Sequence, residues 1–199
     1  MRVLAFTLLA LLTGRLAMPP EGAAQPRPFH RLTDAVVVGG TVGGNSSGAE
    51  GFTGGPEATG LVEIPLGDIV QLRLDGGVAS WRYHGEPRYG IPGSGMRRWR
   101  LTGSFIRGEA PAAYRRLRGY AGGGPGLYFF RFPARPHGGS WGVHGVAGAD
   151  FLLPTIRSNW IIGAEVQLHA FSQPRAVDDV TSRPMVAAHA SVVVKYRLP

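Results

Sequence analysis

Residues Trp160–Leu198, WIIGAEVQLHAFSQPRAVDDVTSRPMVAAHASVVVKYRL, decide the fold. In the second half, Val186, Ala188, Ala190, Val192, Val194, Tyr196 and Leu198 occupy one set of alternate positions, and Ala187, His189, Ser191, Lys195 and Arg197 the other. The first half repeats the pattern, with Trp160, Ile162, Ala164, Val166, Leu168 and Ala170 on one side and Glu165, Gln167 and His169 opposite. Successive side chains of a strand point to opposite faces, so these are two strands joined by a polar loop, each longer than the usual five or six residues or so. Soluble antiparallel sheets also alternate, but their strands are shorter and their polar side meets water. Strands of about ten residues, oily on one face and ionic on the other, are what a transmembrane barrel requires.

Working outward, the same alternation marks six more strands. Ala35–Gly44 is the first, followed by a polar, Gly-rich loop over Asn45–Ala58. Gly60–Leu66 places Val62, Ile64 and Leu66 against Glu63, and Gly67-Asp68 has hairpin-turn character. The third strand, Ile69 to about Tyr83, sets Val70, Leu72 and Leu74 against Gln71, Arg73 and Asp75. At Gly76-Gly77 a bulge is expected to slip the phase, putting Ala79, Trp81 and Tyr83 on the oily side. Met96–Arg107 opposes Trp99, Leu101 and Phe105 to Arg98, Arg100, Thr102 and Ser104. Arg115–Phe132 is less regular, because Pro125 lacks an N–H and is expected at a bulge or rim. In the sixth strand Trp141, Val143, Ala147, Ala149, Phe151 and Leu153 oppose His144 and Asp150. The connections after strands one, three and seven read as the long ones and those after two, four and six as short, with the shorter loop after strand five, Pro133–Gly139, as the exception. That is the asymmetry of a bacterial outer-membrane barrel. The fold class is therefore all-β, an eight-stranded antiparallel up-and-down transmembrane β-barrel.

The 199 residues suffice for one domain once a targeting segment is removed. Met1-Arg2, the apolar run Val3–Thr13 and the small residues ending at Ala24 read as a signal peptide over 1–24, with a linker over 25–34 and the barrel over 35–199. A buried N-terminal helix is the alternative, opposed by Pro19, Pro20, Pro26 and Pro28. Cysteine is absent, which excludes disulfides and cysteine-based metal sites. The net charge of +8 raises nucleic acid as a partner, but the arginines form no nucleic-acid motif, so the reading is no nucleic acid. Basic residues facing anionic lipid headgroups, together with arginines inside the barrel, account for it.

The inward sets combine into a polar lumen cluster of Glu63, Arg73, Asp75, Arg98, Arg100, His144, Asp150, Glu165, His169, His189, Lys195 and Arg197. Eight strands enclose a space only just wide enough for side chains, so opposite charges there pair with one another and plug the lumen. If the last hairpin pairs symmetrically about its loop, His169 and His189 lie nearly opposite. Hydrogen bonds to Asp150 or Glu165 are the plainer expectation for these imidazoles than a metal, and neither a metal nor a cofactor is expected. Trp81, Trp99, Trp141 and Trp160, with Tyr83, Tyr120 and Tyr196, read as interfacial anchors.

The chain resembles the small eight-stranded outer-membrane β-barrel proteins of Gram-negative bacteria, similar to the membrane domain of outer membrane protein A and the opacity-type surface proteins. The residues that carry this are Arg118-Gly119-Tyr120-Ala121-Gly122-Gly123-Gly124, Trp141-Gly142-Val143-His144-Gly145-Val146-Ala147-Gly148-Ala149-Asp150 and the closing Val194-Lys195-Tyr196-Arg197-Leu198. The resemblance covers about Ala35–Leu198. It implies a cell outer membrane location, contact with outer-membrane lipid and lipopolysaccharide, and insertion by the barrel assembly machinery. That machinery usually reads a terminal aromatic residue, whereas this chain ends Leu198-Pro199, so Tyr196 substitutes in part or a different ending is tolerated. His169, Ser172 and Asp178 are similar to the catalytic set of lipid A deacylase barrels, but there His and Ser are two residues apart and here they are three, which in a strand puts them on opposite faces. No HExxH or P-loop pattern is present. The expectation is a non-enzymatic barrel, structural or surface-interacting, whose external loops bind an unknown ligand and which has no peptidoglycan-tethering domain. A narrow channel or porin, a lipid-modifying enzyme and a soluble lipocalin-like barrel are the alternatives.

Overall fold

The computed structural model describes residues 35–47, 52–67, 69–84, 95–109, 116–131, 138–153, 159–172 and 184–198. The segments read as signal peptide and linker lie outside them, as does Asp178. The strands are β1 (Val37–Ser47), β2 (Phe52–Thr53), β3 (Pro56–Pro65), β4 (Val70–Tyr83), β5 (Gly95–Glu109), β6 (Leu117–Arg131), β7 (Gly138–Leu152), β8 (Trp160–Ser172) and β9 (Pro184–Arg197). Each long strand pairs antiparallel with its sequence neighbour, β1 pairs with β9 and β4 with β5, so the sheet closes on itself. The result is an up-and-down barrel of eight long strands, as the alternation predicts. Among the described residues no helix is long and apolar enough to cross a membrane.

Closure leaves no open sheet edge, and the two faces divide as the alternation requires. Val192, Val194, Val166, Leu168, Ile162, Leu101, Phe105 and Val143 are exposed on the outer wall. Trp160 and Tyr196 meet edge to face at 5.0 Å near the rim that carries the chain ends, and Trp99 and Trp141 stand outward toward the other rim. An apolar band bordered by aromatics is the outer surface of a lipid-embedded barrel.

Four expectations are corrected. The polar stretch Asn45–Ala58 is mostly strand: β1 runs on to Ser47, β2 at Phe52–Thr53 pairs with β4, and β3, the partner of β1, begins at Pro56 after Gly54-Gly55. There Asn45 donates its backbone N–H at 2.9 Å and its Nδ2 at 2.8 Å to the Gly55 carbonyl. A Cβ at Gly54 would overlap the Asn45 carbonyl oxygen, so this close approach needs glycine. The long connections are thus 84–94 and 173–183, while the one after β1 is short. Second, no bulge slips the phase at Gly76-Gly77. The β4–β5 register runs unbroken from Val70↔Arg107 to Arg82↔Gly95, and Ala79, Trp81 and Tyr83 stay on the inward side. Third, Tyr120 is also inward and buried, so Trp81, Tyr83 and Tyr120 are core residues, not interfacial anchors. Fourth, Pro125 lies mid-strand opposite Val143, at neither a bulge nor a rim. It leaves a gap in the β5–β6 pairing, which resumes in the same register from Thr102↔Gly126 to Phe105↔Gly123.

The outer face makes a direct test. Val192→Arg, near the middle of β9 with its side chain 60% exposed, is expected to lower folding stability in lipid vesicles by about 2–4 kcal/mol, measured by urea titration. A change within about 0.5 kcal/mol, as at a water-facing surface position, would mean that this face does not meet lipid.

Candidate functional site: the barrel lumen

The inward alternates of the strands deliver ionic side chains to a space sealed from water, and their pairing follows from that. Arg73 on β4 uses its whole guanidinium edge. Nε and Nη2 donate to Asp75 Oδ1 at 2.9 and 2.7 Å, and Nη1 and Nη2 donate to Glu165 Oε2 and Oε1 at 2.7 and 2.9 Å. The bidentate bond to Glu165 spans the lumen from β4 to β8. Glu165 also accepts from Tyr120 Oη at 2.8 Å and Gln167 Nε2 at 2.6 Å. Lys195 on β9 donates to Glu63 on β3 at 2.8 Å and Asp150 on β7 at 2.9 Å, with its Nζ 4.4 Å from the Tyr120 ring centre. Glu63 reaches Arg73 at 3.7 Å, which joins the two groups into one network. Arg118 donates to Gln71 Oε1 at 2.6 Å.

A second ionic cluster gathers around Glu57. Arg98 Nη2 donates to Oε2 and Arg100 Nε to Oε1, both at 2.8 Å, and Arg100 Nη2 donates to Thr59 Oγ1 at 2.9 Å. His189 Nδ1 lies 3.8 Å from Glu57 Oε1. Beyond it, toward the rim that carries 84–94 and 173–183, the lumen turns apolar. Trp81, Met96, Tyr128, Phe130, Phe171 and Met185 form one buried cluster, with Tyr128 and Phe171 stacked at 4.5 Å. The Arg98 guanidinium sits 5.0 Å from the Trp81 ring centre and 5.7 Å from that of Phe171, tying the ionic and aromatic layers together.

Of the residues singled out from sequence, all but Arg197 are buried. Arg197 is half-buried at the rim, where Nη2 reaches Asn159 Oδ1 at 3.3 Å. The histidines are placed differently from expectation. His169 stands opposite His144, with rings stacked at 5.7 Å, whereas His189 pairs with Gln167, because the last hairpin is in register His169↔Ala187. Their polar partners are Ser104, 2.6 Å from His144 Nε2, and Tyr128, 3.0 Å from His169 Nδ1, in place of Asp150 and Glu165, which the cations occupy. No metal-holding group of three His, Cys, Asp or Glu occurs among the described residues. His169 is buried and Ser172 exposed, so these two cannot form a nucleophile–base pair. Ser104 and His144 do meet, but Ser104 is wholly buried, out of reach of an external substrate.

Sequence reasoning missed Glu57, which lay in the stretch read as loop. Extending the alternation of Glu63 back through Leu61 and Thr59 reaches it. Arg118 was hidden by its motif, and Tyr120, which contacts both Glu165 and Lys195, by its aromatic character.

No protein-family profile matches the chain. No curated protein matches it either. Among solved structures it is similar to Neisserial surface protein A (TM-score 0.54, 12% identity, covering 82% of this chain and 96% of that one) and to the outer membrane protein OprG from Pseudomonas aeruginosa (TM-score 0.55, 12% identity, 83% and 96%). The fold is that of the small eight-stranded outer-membrane β-barrels.

The Arg73 network sets a measurable cost. Arg73→Met removes the cation shared by Asp75 and Glu165 and is expected to destabilise the folded barrel by about 3–5 kcal/mol in the same urea titration. A loss below about 1 kcal/mol would mean that these carboxylates find other partners or water.

Proposed function

We propose that this protein is a non-enzymatic outer-membrane barrel with an occluded lumen, serving as a structural element or contacting a ligand through the connections on its outer rim. The observation that carries the reading is that the interior is filled at successive levels by fully buried side chains. Arg73 and Lys195 lie in one layer, Arg98 in the next, and Trp81, Phe130 and Phe171 beyond. The first layer is braced across the lumen by Arg73 and Glu165, and the second joins β5 to β3 through Glu57, strands that share no ladder. Moving an ion through would require breaking pairs whose members are then left charged in a low dielectric. The complete burial of Ser104, the hydroxyl that His144 meets, supports the non-enzymatic part.

In this reading residues 1–24 are the export signal and 25–34 a linker, both chain ends lie on the periplasmic rim, and 84–94 and 173–183 face outward. Outer-membrane lipid and lipopolysaccharide surround the wall, the barrel assembly machinery inserts it through the closing strand, and the ligand of the external connections is unassigned.

Two measurements separate this from its rivals. Protein reconstituted in planar lipid bilayers is expected to give no discrete conductance steps; reproducible single-channel openings would make it a pore. Mass spectra of lipid A from cells with and without the protein are expected to coincide, and a deletion-dependent loss or gain of an acyl chain would identify a lipid-modifying enzyme.

A further inference from the structure

The lumen is not electrically uniform. In the network around Arg73 and Lys195 the carboxylates outnumber the cations, but around Glu57 the balance reverses. Arg98 and Arg100 share that single carboxylate, which leaves one formal positive charge in a buried compartment. The donors there are also incompletely used. Arg98 Nε and Nη1 and Arg100 Nη1 have no hydrogen-bond partner among the described residues, and neither nitrogen of His189 has one. The Trp81 and Phe171 rings, themselves stacked at 6.4 Å, cover one side of the Arg98 guanidinium, and Glu57 takes only its Nη2. Buried N–H groups on charged side chains are costly when unsatisfied, and a surplus unit charge costs more still.

We propose that this compartment binds one small monovalent anion of the halide class against Arg98 and Arg100. The surplus of one charge sets the valence. Side chains fill an eight-stranded bore, and the aromatic cluster adjoins this compartment, so only a small ion fits beside the guanidiniums. Water can satisfy the same N–H groups but leaves the charge in place, whereas a halide answers both needs. The anion need not pass through the plug, because it is enclosed when the strands close around it during folding.

The test is to refold the full chain into detergent in sodium bromide and, separately, in sodium gluconate of equal ionic strength. Crystals of the bromide form are expected to show an anomalous bromine peak in hydrogen-bonding range of the Arg98 and Arg100 guanidiniums. The unfolding midpoint is expected to rise saturably with bromide and not with gluconate. Glu57→Gln, which raises the local surplus by a further charge, shifts half-saturation to lower bromide; Arg100→Gln abolishes the saturable rise. Glu57 has a plainly structural role as well, and losing it would simply destabilise the fold; tighter bromide dependence in that variant is a direction a merely structural role does not produce. Water refined in place of bromine, or a wild-type midpoint indifferent to the choice of anion, overturns the proposal.

Discussion

Charge that cannot reach water is the constraint on which the rest of this molecule depends. Once the sheet closes and its outer wall is apolar, a guanidinium on an inward position has only the lumen in which to find its counter-ion. The idealised cost of leaving a carboxylate or ammonium in such surroundings is of order 20 kcal/mol, and several kcal/mol remain after relaxation. Among the described residues the barrel answers with matched numbers, five buried carboxylates (Glu57, Glu63, Asp75, Asp150, Glu165) against five buried cations (Arg73, Arg98, Arg100, Arg118, Lys195), although unevenly divided between its two clusters. Most of the bonds run between strands far apart in sequence, so the pairing also holds the cylinder across its bore. Arg73 to Glu165 and Lys195 to Glu63 each bridge elements that share no backbone ladder.

From that pairing follow occlusion, the split between ionic and aromatic layers, and the position of the aromatic cluster beneath the rim with the long connections. Arg98 belongs to both layers, with Nη2 on Glu57 and one side of its guanidinium against the stacked Trp81 and Phe171 rings. A substitution in either layer is therefore felt in the other. The surface left free to vary without disturbing the plug is the outer rim, and for that reason the proposed role is placed there.

The fold was legible because the closing strands keep a strict period of two over their full length, and apolar residues at alternate positions of β8 and β9 admit no other geometry. What misled was the equation of greasy with outward. At Gly76-Gly77 the parity of β4 never changes; only the chemistry of the inward side does, from Asp75 to Ala79 and Trp81. Two glycines carry no polarity signal, so sequence could not separate a slip of register from a lumen that turns apolar. Glu57 was lost for the opposite reason: Gly and Pro around it mimic a loop, although here they serve a tight approach between β1 and β3. The histidine pairing failed by a small register offset. The polar residues of 173–183 do not say which pair closes the hairpin, and an offset of two positions replaces His189 by Ala187 opposite His169. Pairing partners inside the lumen depend on strand tilt and stagger, which alternation alone does not encode.

Because the chain has no cysteine, the sidedness of the wall can be read one position at a time. Single cysteines placed successively at Val166, Gln167, Leu168 and His169, spin-labelled in lipid vesicles, measure access to oxygen dissolved in the bilayer. High access at 166 and 168 with low access at 167 and 169 is the result that this account requires. Uniform access, or the inverse alternation, would contradict a barrel with its oily residues toward lipid and its ions toward the axis.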